Sequence, residues 1–307
     1  KQWKTKFSIG ALSVTPFINC GLKDVYLEDT CGNVLLKTSY LEANLLRMPT
    51  TKKLVVRNVV IENSQCNLIK DKHKMNFQFI IDYFKSNKPK KKKPKKPPFV
   101  IEVRDLKMKN MDFMLLNKDS DRPIVKNMFA PNKIVCKNIN LHFKDISIIK
   151  DSINVEMKEL STKERFGLEL KEMSCKFVVS SKGIEAKDAK IKTQSSNLAF
   201  DAKMKTTTWK TYKYFIDSVY CKINMKKGSV AGMKDACYWT PKVSNCTQKI
   251  ALNFKGEGWI SNMRVKDMDI RSNNTRILAY GNVVGLPYIK NTYFNIVIKD
   301  VSCSYND

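Results

Sequence analysis

A four-residue phrase recurs along this chain: an apolar residue, Lys or Arg, Asp or Asn, and a second apolar residue. Its copies are LKDV from Leu22, VRNV from Val56, VRDL from Val103, CKNI from Cys136, FKDI from Phe143, AKDA from Ala186, VKDM from Val265 and IKDV from Ile298. Around these copies apolar and polar residues alternate, which is typical of strands with one buried face. A phrase that recurs at strand spacing predicts an extended array of strands rather than a closed globule.

The alternation slips by one residue at the basic–acidic pair of the phrase. The two fullest copies show this without a gap, over 56–70 and 103–117. One extra residue in a strand is a β-bulge, which bends the strand. Bulges at the same point of successive strands predict a mainly β fold, an elongated and curled antiparallel sheet with an apolar groove. Asp or Asn also recurs at a spacing of five, as at Asn58 and Asn63, so a parallel β-helix is the alternative fold.

Three segments depart from strand alternation. In 76–86 the apolar residues stand at i, i+3, i+4 and i+7, which predicts a short amphipathic helix. Similar stripes predict helices near 208–220 and 229–239, the last of them ended by Pro241. We expect these helices to pack as plugs against the apolar side of the sheet.

The most conspicuous local feature is a Lys-Pro run, SNKPKKKKPKKPPF. It divides an N-terminal β segment, 1–87, from a continuing β-groove, 99–307, and itself forms an exposed loop, 88–98. Pro cannot donate ladder hydrogen bonds and like charges extend the chain, so we interpret the loop as a solvated spacer whose deletion leaves folding intact. Its lysines are also candidates for contact with anionic headgroups: Lys90, Lys91, Lys92, Lys93, Lys95 and Lys96.

The charge of the chain is strongly positive throughout. The 307 residues contain 56 Lys and Arg against 29 Asp and Glu, a formal charge of +27, and removal of the seven lysines of the run leaves 27 − 7 = +20. Such a chain attracts polyanions, including anionic membrane surfaces. Because the run lacks the aromatic and Arg residues that stack on bases, we expect no nucleic acid as partner and keep a basic nucleic-acid-binding protein only as a second alternative.

Enzyme signatures are missing from the sequence. It contains no G-x-S-x-G, H-E-x-x-H or Walker loop, and its two histidines, His73 and His142, are far apart. Nine cysteines form no C-x-x-C pair. We therefore predict no catalytic function, no metal and no cofactor. In an oxidising compartment Cys237–Cys246 and Cys20–Cys31 are the candidate disulfides; the other interpretation is that the cysteines are small buried hydrophobes.

The order of several stretches resembles a known family. FSIGALSVTPFINCGLKDVYLEDTCGNVLL from Phe7, FVIEVRDLKMKNMDFMLLN from Phe99 and YGNVVGLPYIKNTYFNIVIKD from Tyr280 look like the N-terminal periplasmic portion of TamB-type translocation and assembly proteins of Bacteroidota, in the AsmA-like group. The resemblance covers nearly the whole chain. The strong positive charge and the Lys-rich loop are departures from the family.

This resemblance implies a periplasmic protein anchored to the inner membrane by an N-terminal helix outside this segment. Its β-groove would carry phospholipid between inner and outer membranes without catalysis. The alternative is a scaffold role in outer-membrane protein assembly, with an outer-membrane barrel protein bound through regions outside this chain.

A groove for acyl chains needs a continuous apolar lining, since each exposed methylene costs about 0.8 kcal/mol. Alternating strands supply such a lining, and Met accommodates irregular chains. The candidate lining residues are Val59, Ile61, Leu106, Met108, Phe113, Leu115, Ile139, Leu141, Phe143, Met173, Val265, Met268 and Ile270.

Overall fold

The computed structural model of the chain describes residues 5–15, 19–84, 98–125, 128–238, 247–286 and 291–303, and within them the fold is mainly β. The strands are β1 (Phe7–Ser8), β2 (Ala11–Thr15), β3 (Asn19–Glu28), β4 (Val34–Leu45), β5 (Lys53–Asp71), β6 (Lys74–Met75), β7 (Val100–Asn117), β8 (Lys133–Ile149), β9 (Ser152–Glu164), β10 (Glu169–Ser180), β11 (Gly183–Thr193), β12 (Asn197–Lys205), β13 (Tyr220–Met225), β14 (Val230–Gly232), β15 (Lys249–Trp259), β16 (Asn262–Ser272), β17 (Thr275–Val284) and β18 (Tyr293–Ser302). The helices are α1 (Gln78–Phe84), a 3-10 turn (Trp209–Tyr214), α2 (Phe215–Ser218) and α3 (Met233–Ala236). The predicted β class is therefore confirmed.

The chain divides into two compact units. The N-terminal unit comprises Lys1–Lys150 with Glu159–Glu169, and the C-terminal unit comprises Asp151–Lys158 with Leu170–Asp307. The division falls within β9 rather than at the Lys-Pro run. The strands on either side of that run, β5 and β7, pair with each other inside the N-terminal unit.

The N-terminal unit is built on long neighbouring strands. β3, β4 and β5 pair antiparallel in that order, β1 and β2 pair with β3, and β7 pairs antiparallel with β8. β5 and β7 are the exception to the predicted antiparallel pattern, because they run parallel from Lys53 opposite Val100 to Lys70 opposite Asn117. A parallel pair needs a crossover connection, and here residues 72–99 return the chain to the start of β7.

The C-terminal unit is an antiparallel meander. From β10 each strand pairs with the next as far as β13, and β15 to β18 continue the same pattern. Both β13 and the short β14 pair with β12 and with β15, so together they fill one position in the sheet. These antiparallel neighbours rule out the parallel β-helix alternative for the described strands.

The predicted bulges lie where the phrase recurs. Five of its Asp and Asn residues have a left-handed backbone, with φ between 50° and 52°, and these are Asp24, Asn138, Asp145, Asp188 and Asp267. In β11, for example, Lys187 and Asp188 together lie opposite the single residue Asp201 of β12. Asn and Asp are the non-glycine residues that adopt this backbone most readily, which explains why the third position of the phrase is Asp or Asn.

In β5 and β7 the left-handed residue lies five residues after the Asp or Asn of the phrase, and β5 also has a register shift against β4 at Arg57, inside the phrase. Asn63 and Asn110 have φ of 51° and 55°, whereas neither Asn58 nor Asp105 has a positive φ. The five-residue spacing of Asx residues thus marks a left-handed residue within a continuous strand, not a turn of a β-helix.

The helices are shorter than predicted and leave much of their apolar surface exposed. α1 covers seven residues of the predicted 76–86, and Ile81 and Tyr83 are each 43% exposed. The segment near 208–220 forms the 3-10 turn and α2, and 229–239 retains only the single turn of α3. Phe77 and Ile80 of the predicted stripe are half-buried, so the packing of the helices against the sheet stays a prediction. None of the helices in the described ranges has the length and apolar character that crossing a membrane requires.

Candidate functional site: two apolar sheet faces

The strand registers of the N-terminal unit place apolar residues directly opposite one another. Residues that are directly opposite in a sheet share a face, so each register row can be followed from strand to strand. Ahead of the bulges the rows are Cys20–Ala43–Val59–Leu106–Phe143 and Leu22–Leu41–Ile61–Met108–Leu141, from β3 to β8. Two adjacent rows therefore hold Met108 and five more of the predicted lining residues.

Beyond the bulges the same face continues. In β7 the residues Lys109 and Asn110 together lie opposite Asn140, so Met108 and Met111 emerge on the same side. The next rows are Val25–Thr38–Ser64–Met111–Ile139, Leu27–Leu36–Cys66–Phe113–Cys136 and Leu68–Leu115–Ile134. Without the bulges these residues would face the other side of the sheet, because strand side chains alternate with a period of two. We call this surface the N-terminal apolar face.

The row that follows the bulges is the most deeply buried part of this face. Val25, Thr38 and Ser64 are only 6%, 1% and 6% exposed. The Ser64 hydroxyl donates a 2.7 Å hydrogen bond to Oγ1 of Thr38, which satisfies the two hydroxyls within apolar surroundings. The most deeply buried residues of this face therefore lie in the row that directly follows the bulges.

The remaining lining residues are only half-buried. All thirteen predicted residues have intermediate exposure, including Phe113 and Leu141. A core side chain covered by a second layer is normally fully buried. These side chains therefore retain apolar surface that this unit's own chain leaves uncovered.

A corresponding C-terminal apolar face crosses β10 to β18. Two rows cross the unit from β10 to β18, and they are Val179–Ile184–Met204–Cys221–Gly258–Met263–Val283–Phe294 and Phe177–Ala186–Ala202–Ile223–Gly256–Val265–Gly281–Ile296. Three shorter rows are Met173–Ile191–Leu198, Leu252–Ile270–Ile277–Val301 and Met268–Ala279–Ile298. The predicted residues Met173, Val265, Met268 and Ile270 all belong to it. Sequence reasoning missed the small residues of this face, such as Gly256. They could have been found because they occupy the apolar positions of the strand alternation.

An apolar cavity of about 170 Å³ opens on the C-terminal apolar face. It is lined by Met173, Cys175, Phe177, Ile184, Ala186, Ala189, Phe200, Ala202 and Met204. Ala186 and Ala189 come from opposite sides of the β11 bulge, so the cavity exists because the bulge keeps both on one face.

The opposite face of the N-terminal unit is polar. Nζ of Lys53 lies 2.5 Å from Glu102, and Nε2 of His142 lies 2.6 Å from Oδ1 of Asp105. Burial opposes ionisation of Asp105, but the hydrogen bond from His142 and the nearby lysine charges outweigh it and lower the pKa of the carboxyl. Ahead of the bulges this side is therefore charged, whereas beyond them it also carries apolar residues such as Met114, which lies between Asn67 and Val135.

The polar face of the C-terminal unit follows the same rule. Hydrogen bonds from Lys266 and Lys222 lower the pKa of Glu257 to about 2, and Arg271 and Arg276 hold the pKa of Asp269 below its usual range. A cavity of about 510 Å³ on this face is lined largely by Lys, Asp and Glu. Because several of these charges neutralise each other in cross-strand pairs, the cavity is not a concentrated anion site.

Two cysteine predictions have different outcomes. Cys20 and Cys31 are both free. The extended strand from Cys20 to Glu28 spans about 26 Å at ~3.3 Å per residue, and Cys31 lies beyond its far end, well outside disulfide reach. That pairing was wrong. Cys246 lies outside the described residues, so Cys237–Cys246 stays a prediction.

The buried thiols fit the alternative interpretation. Burial raises the pKa of Cys175 to about 11 and also raises that of Cys221. Both side chains lie on the C-terminal apolar face as small hydrophobes.

Two further predictions concern charged and metal sites. The anionic-surface lysines, Lys90 to Lys93, Lys95 and Lys96, lie outside the described residues. Within the described ranges, no group of three or more His, Cys, Asp or Glu residues is placed to hold a metal ion.

Comparison with known proteins identifies no relative. No protein-family model, curated protein or solved structure matches the chain. The resemblance to TamB-type proteins therefore stays a prediction, and the two apolar faces must be interpreted from their own geometry.

Proposed function

We propose that the two apolar faces bind the acyl chains of a phospholipid or a similar lipid. The observation that carries this proposal is the run of half-exposed apolar side chains that continues through the bulges of neighbouring strands. Burial of each lipid methylene against such a surface contributes about 0.8 kcal/mol, so a chain of ordinary length gains several kilocalories per mole.

The distribution of charge supports a lipid more than a soluble apolar ligand. Lysines on the opposite face and the net charge of +27 favour approach to anionic headgroups, with about 1 kcal/mol per Lys near a charged membrane. The apolar side would then take the acyl chains while the charged side stays in water.

We extend the proposal to transport. A face that presents equivalent apolar rows strand after strand offers a lipid many similar positions, which suits movement along the sheet better than capture at one pocket. The proposed setting is the periplasm, with an inner-membrane anchor outside this segment and phospholipid passing between inner and outer membranes. A scaffold for outer-membrane protein assembly is the competing role.

Site-specific photocrosslinking tests lipid binding directly. A benzophenone amino acid is placed at Met108 on the N-terminal apolar face or at the adjacent Lys107 on the polar face, and the protein is irradiated in cells and analysed by intact mass spectrometry. We expect lipid adducts at Met108 and none at Lys107. The matched pair in the C-terminal unit is Val265 and Arg264.

Equal labelling at both sites of a pair, or no lipid adduct at either apolar site, would count against lipid binding. Labelling by polypeptide instead of lipid at Met108 would favour the scaffold role.

A further inference from the structure

Two lysines lie directly opposite each other on the polar face of the C-terminal unit. Lys203 of β12 and Lys222 of β13 are register partners, so their Cβ atoms are about 4.5–5.5 Å apart. Both line the cavity of about 510 Å³ on this face. Like charges directly opposite each other destabilise a sheet, so this pair needs negative charge close by.

The negative charge available to the pair is shared with other lysines. Nζ of Lys203 lies 3.0 Å from Oε2 of Glu185, and Nζ of Lys222 lies 3.1 Å from Oε2 of Glu257. The other oxygen of each carboxylate lies within 3.4 Å of a second lysine, and these lysines are Lys187 and Lys266. Four lysines therefore share two carboxylates, which leaves a net charge of +2 on this group.

The remaining charges around the cavity do not cancel this surplus. Asp188 and Asp201 form salt bridges with two further lysines, at 3.1 Å and 3.9 Å, and Lys255 forms one with Asp267 at 3.4 Å. These groups balance one another. The cavity is thus close to neutral as a whole but positive where Lys203 and Lys222 meet.

Both glutamates beside the pair are ionised at neutral pH. Hydrogen bonds from Lys266 and Lys222 lower the pKa of Glu257 to about 2, and the hydrogen bond from Lys203 lowers the pKa of Glu185. Their negative charge is therefore already present and fully used. A bound anion would relieve the repulsion that remains.

We propose that this cavity binds a phosphate monoester, with the dianionic phosphate held between Lys203 and Lys222. A phosphate monoester carries a charge of about −1.5 to −2 at neutral pH, which matches the surplus. Each ammonium group has three N–H donors, so each lysine can keep its glutamate and still donate to a phosphate oxygen. The cavity is within the usual size of small-molecule sites, roughly 300–1,000 Å³, which leaves room for the esterified group.

This site is separate from the apolar faces. Lys222 lies between Cys221 and Ile223 in β13, and both of these belong to rows of the C-terminal apolar face. Because strand side chains alternate, Lys222 projects from the opposite side of the sheet. Phosphate binding thus goes beyond acyl-chain binding and does not rest on it, so the failure of one proposal leaves the other intact.

Isothermal titration calorimetry of the full chain with glycerol 3-phosphate tests the site. In 0.15 M NaCl exposed charges are screened beyond about 8 Å, and we expect saturable binding of one molecule per chain. Lys203→Gln or Lys222→Gln should each weaken binding at least about tenfold, because a charge-assisted hydrogen bond is lost. The double variant should show no measurable binding.

Lys107→Gln is the matched control. Its side chain is 46% exposed, as is that of Lys203, and its ammonium group also has a carboxylate partner, Asp105 at 3.6 Å. It lies on the polar face of the N-terminal unit, so the same loss of charge there should leave the affinity unchanged. Glycerol 3-phosphate should raise the thermal midpoint of unfolding of the native chain and of this control but not that of the double variant.

Vesicle flotation distinguishes a soluble ligand from a lipid headgroup. Phosphatidylcholine vesicles that contain phosphatidic acid, a phosphate monoester, are compared with vesicles that contain the same fraction of phosphatidylglycerol, a diester. Recovery with phosphatidic acid alone, lost in the double variant, would assign the site to a lipid headgroup. Binding of glycerol 3-phosphate without recovery on vesicles would assign it to a soluble monoester.

Three results would overturn the proposal. The first is a native chain that binds neither glycerol 3-phosphate nor phosphatidic acid. The second is equal recovery on both kinds of vesicle without binding of glycerol 3-phosphate, which would show general attraction to anionic surfaces. The third is a loss of affinity in Lys107→Gln equal to that in Lys203→Gln.

Discussion

Asn63 and Asn110 lie side by side in the parallel strands β5 and β7, and Nδ2 of Asn110 donates a 2.7 Å hydrogen bond to Oδ1 of Asn63. Both residues have a left-handed backbone, so the two bulges coincide and the register is kept through the bend. The backbone N–H of Asn110 is satisfied in turn by Oδ1 of Asn140 on β8, at 3.1 Å. Side-chain hydrogen bonds between neighbouring strands therefore stabilise the bend.

A β-branched residue at this bend should destabilise the N-terminal unit. Ordinary L-residues pay about 1–2 kcal/mol for the left-handed backbone, whereas glycine does not. We expect Asn110→Val to lower the free energy of unfolding by about 1–2 kcal/mol more than Asn110→Gly, measured by urea denaturation. Both variants lose the hydrogen bond to Asn63, so glycine is the matched control for backbone strain. Equal losses would show that the left-handed backbone carries no cost here.

The paired lysines around Glu257 should make stability depend on pH. The pKa of its carboxyl is about 2 in the folded chain against an ordinary value of 4.5. A lowered folded pKa contributes stability that is complete above about pH 4.5 and is lost as the pH falls towards 2. We expect Glu257→Gln to be less stable than the native chain at pH 7 and equally stable at pH 2, measured by denaturant unfolding at each pH.

The partners of Glu257 provide the control. When both Lys222 and Lys266 are replaced by Gln, the further substitution Glu257→Gln should no longer change how stability depends on pH. Persistence of a pH-dependent difference in that background would assign it to another group.

Filling the centre of the C-terminal apolar face should reduce lipid labelling there. A Cβ on Gly256 would meet Sδ of Met263 and the ring of Phe254 at 3.6 Å, which is ordinary contact. We expect Gly256→Leu to fold and to lower the lipid adduct at Val265, its neighbour in the register, severalfold. The adduct at Met108 in the other unit should not change.

Lys255→Leu is the control for this substitution, since it adds a similar side chain to an exposed position on the polar face. An equal loss of labelling in that variant would point to a general change in the sheet. Gly281 is not a suitable test site, because a Cβ there would lie 2.1 Å from the carbonyl oxygen of Asn295.

Deletion of the Lys-Pro run should not be tolerated, contrary to the expectation from the sequence. Val100 lies beside Lys53, at the start of β5, so the chain must return from Lys70 along the length of β5 to reach it. That length is 17 residues of strand, or roughly 56 Å. Without 88–98, the 13 extended and six helical residue steps that remain between Lys70 and Val100 reach only about 52 Å with α1 intact. We expect this deletion to abolish cooperative unfolding of the N-terminal unit, measured by circular dichroism.

A shorter deletion separates length from composition. Removal of 90–93 leaves a reach of about 75 Å, so that variant should unfold cooperatively like the native chain. Full stability of the longer deletion would mean that α1 melts to supply the missing length.

Much of the site was visible in the sequence. The slip in alternation at the Lys-Asp phrase predicted bulges, and the side chains assigned to the groove all lie on one of the two apolar faces. Residues such as Met108 and Val265 could be found because strand alternation is a local property. Gly256 and Ala186 were missed, since a small residue gives no apolar signal by itself and acquires a role only from its cross-strand neighbours.

The sequence by itself determined the alternation of apolar and polar residues in the strands, the Asx bulges and the separation of apolar from charged side chains. Each of these depends on neighbouring residues and their backbone preferences. The tertiary structure decided which strands meet. It made β5 and β7 parallel, gave the left-handed backbone of β5 to Asn63 rather than Asn58, and separated Cys20 from Cys31. Strand pairing joins residues that are distant in the chain, and many registers satisfy the same local alternation, so only the assembled sheet selects one.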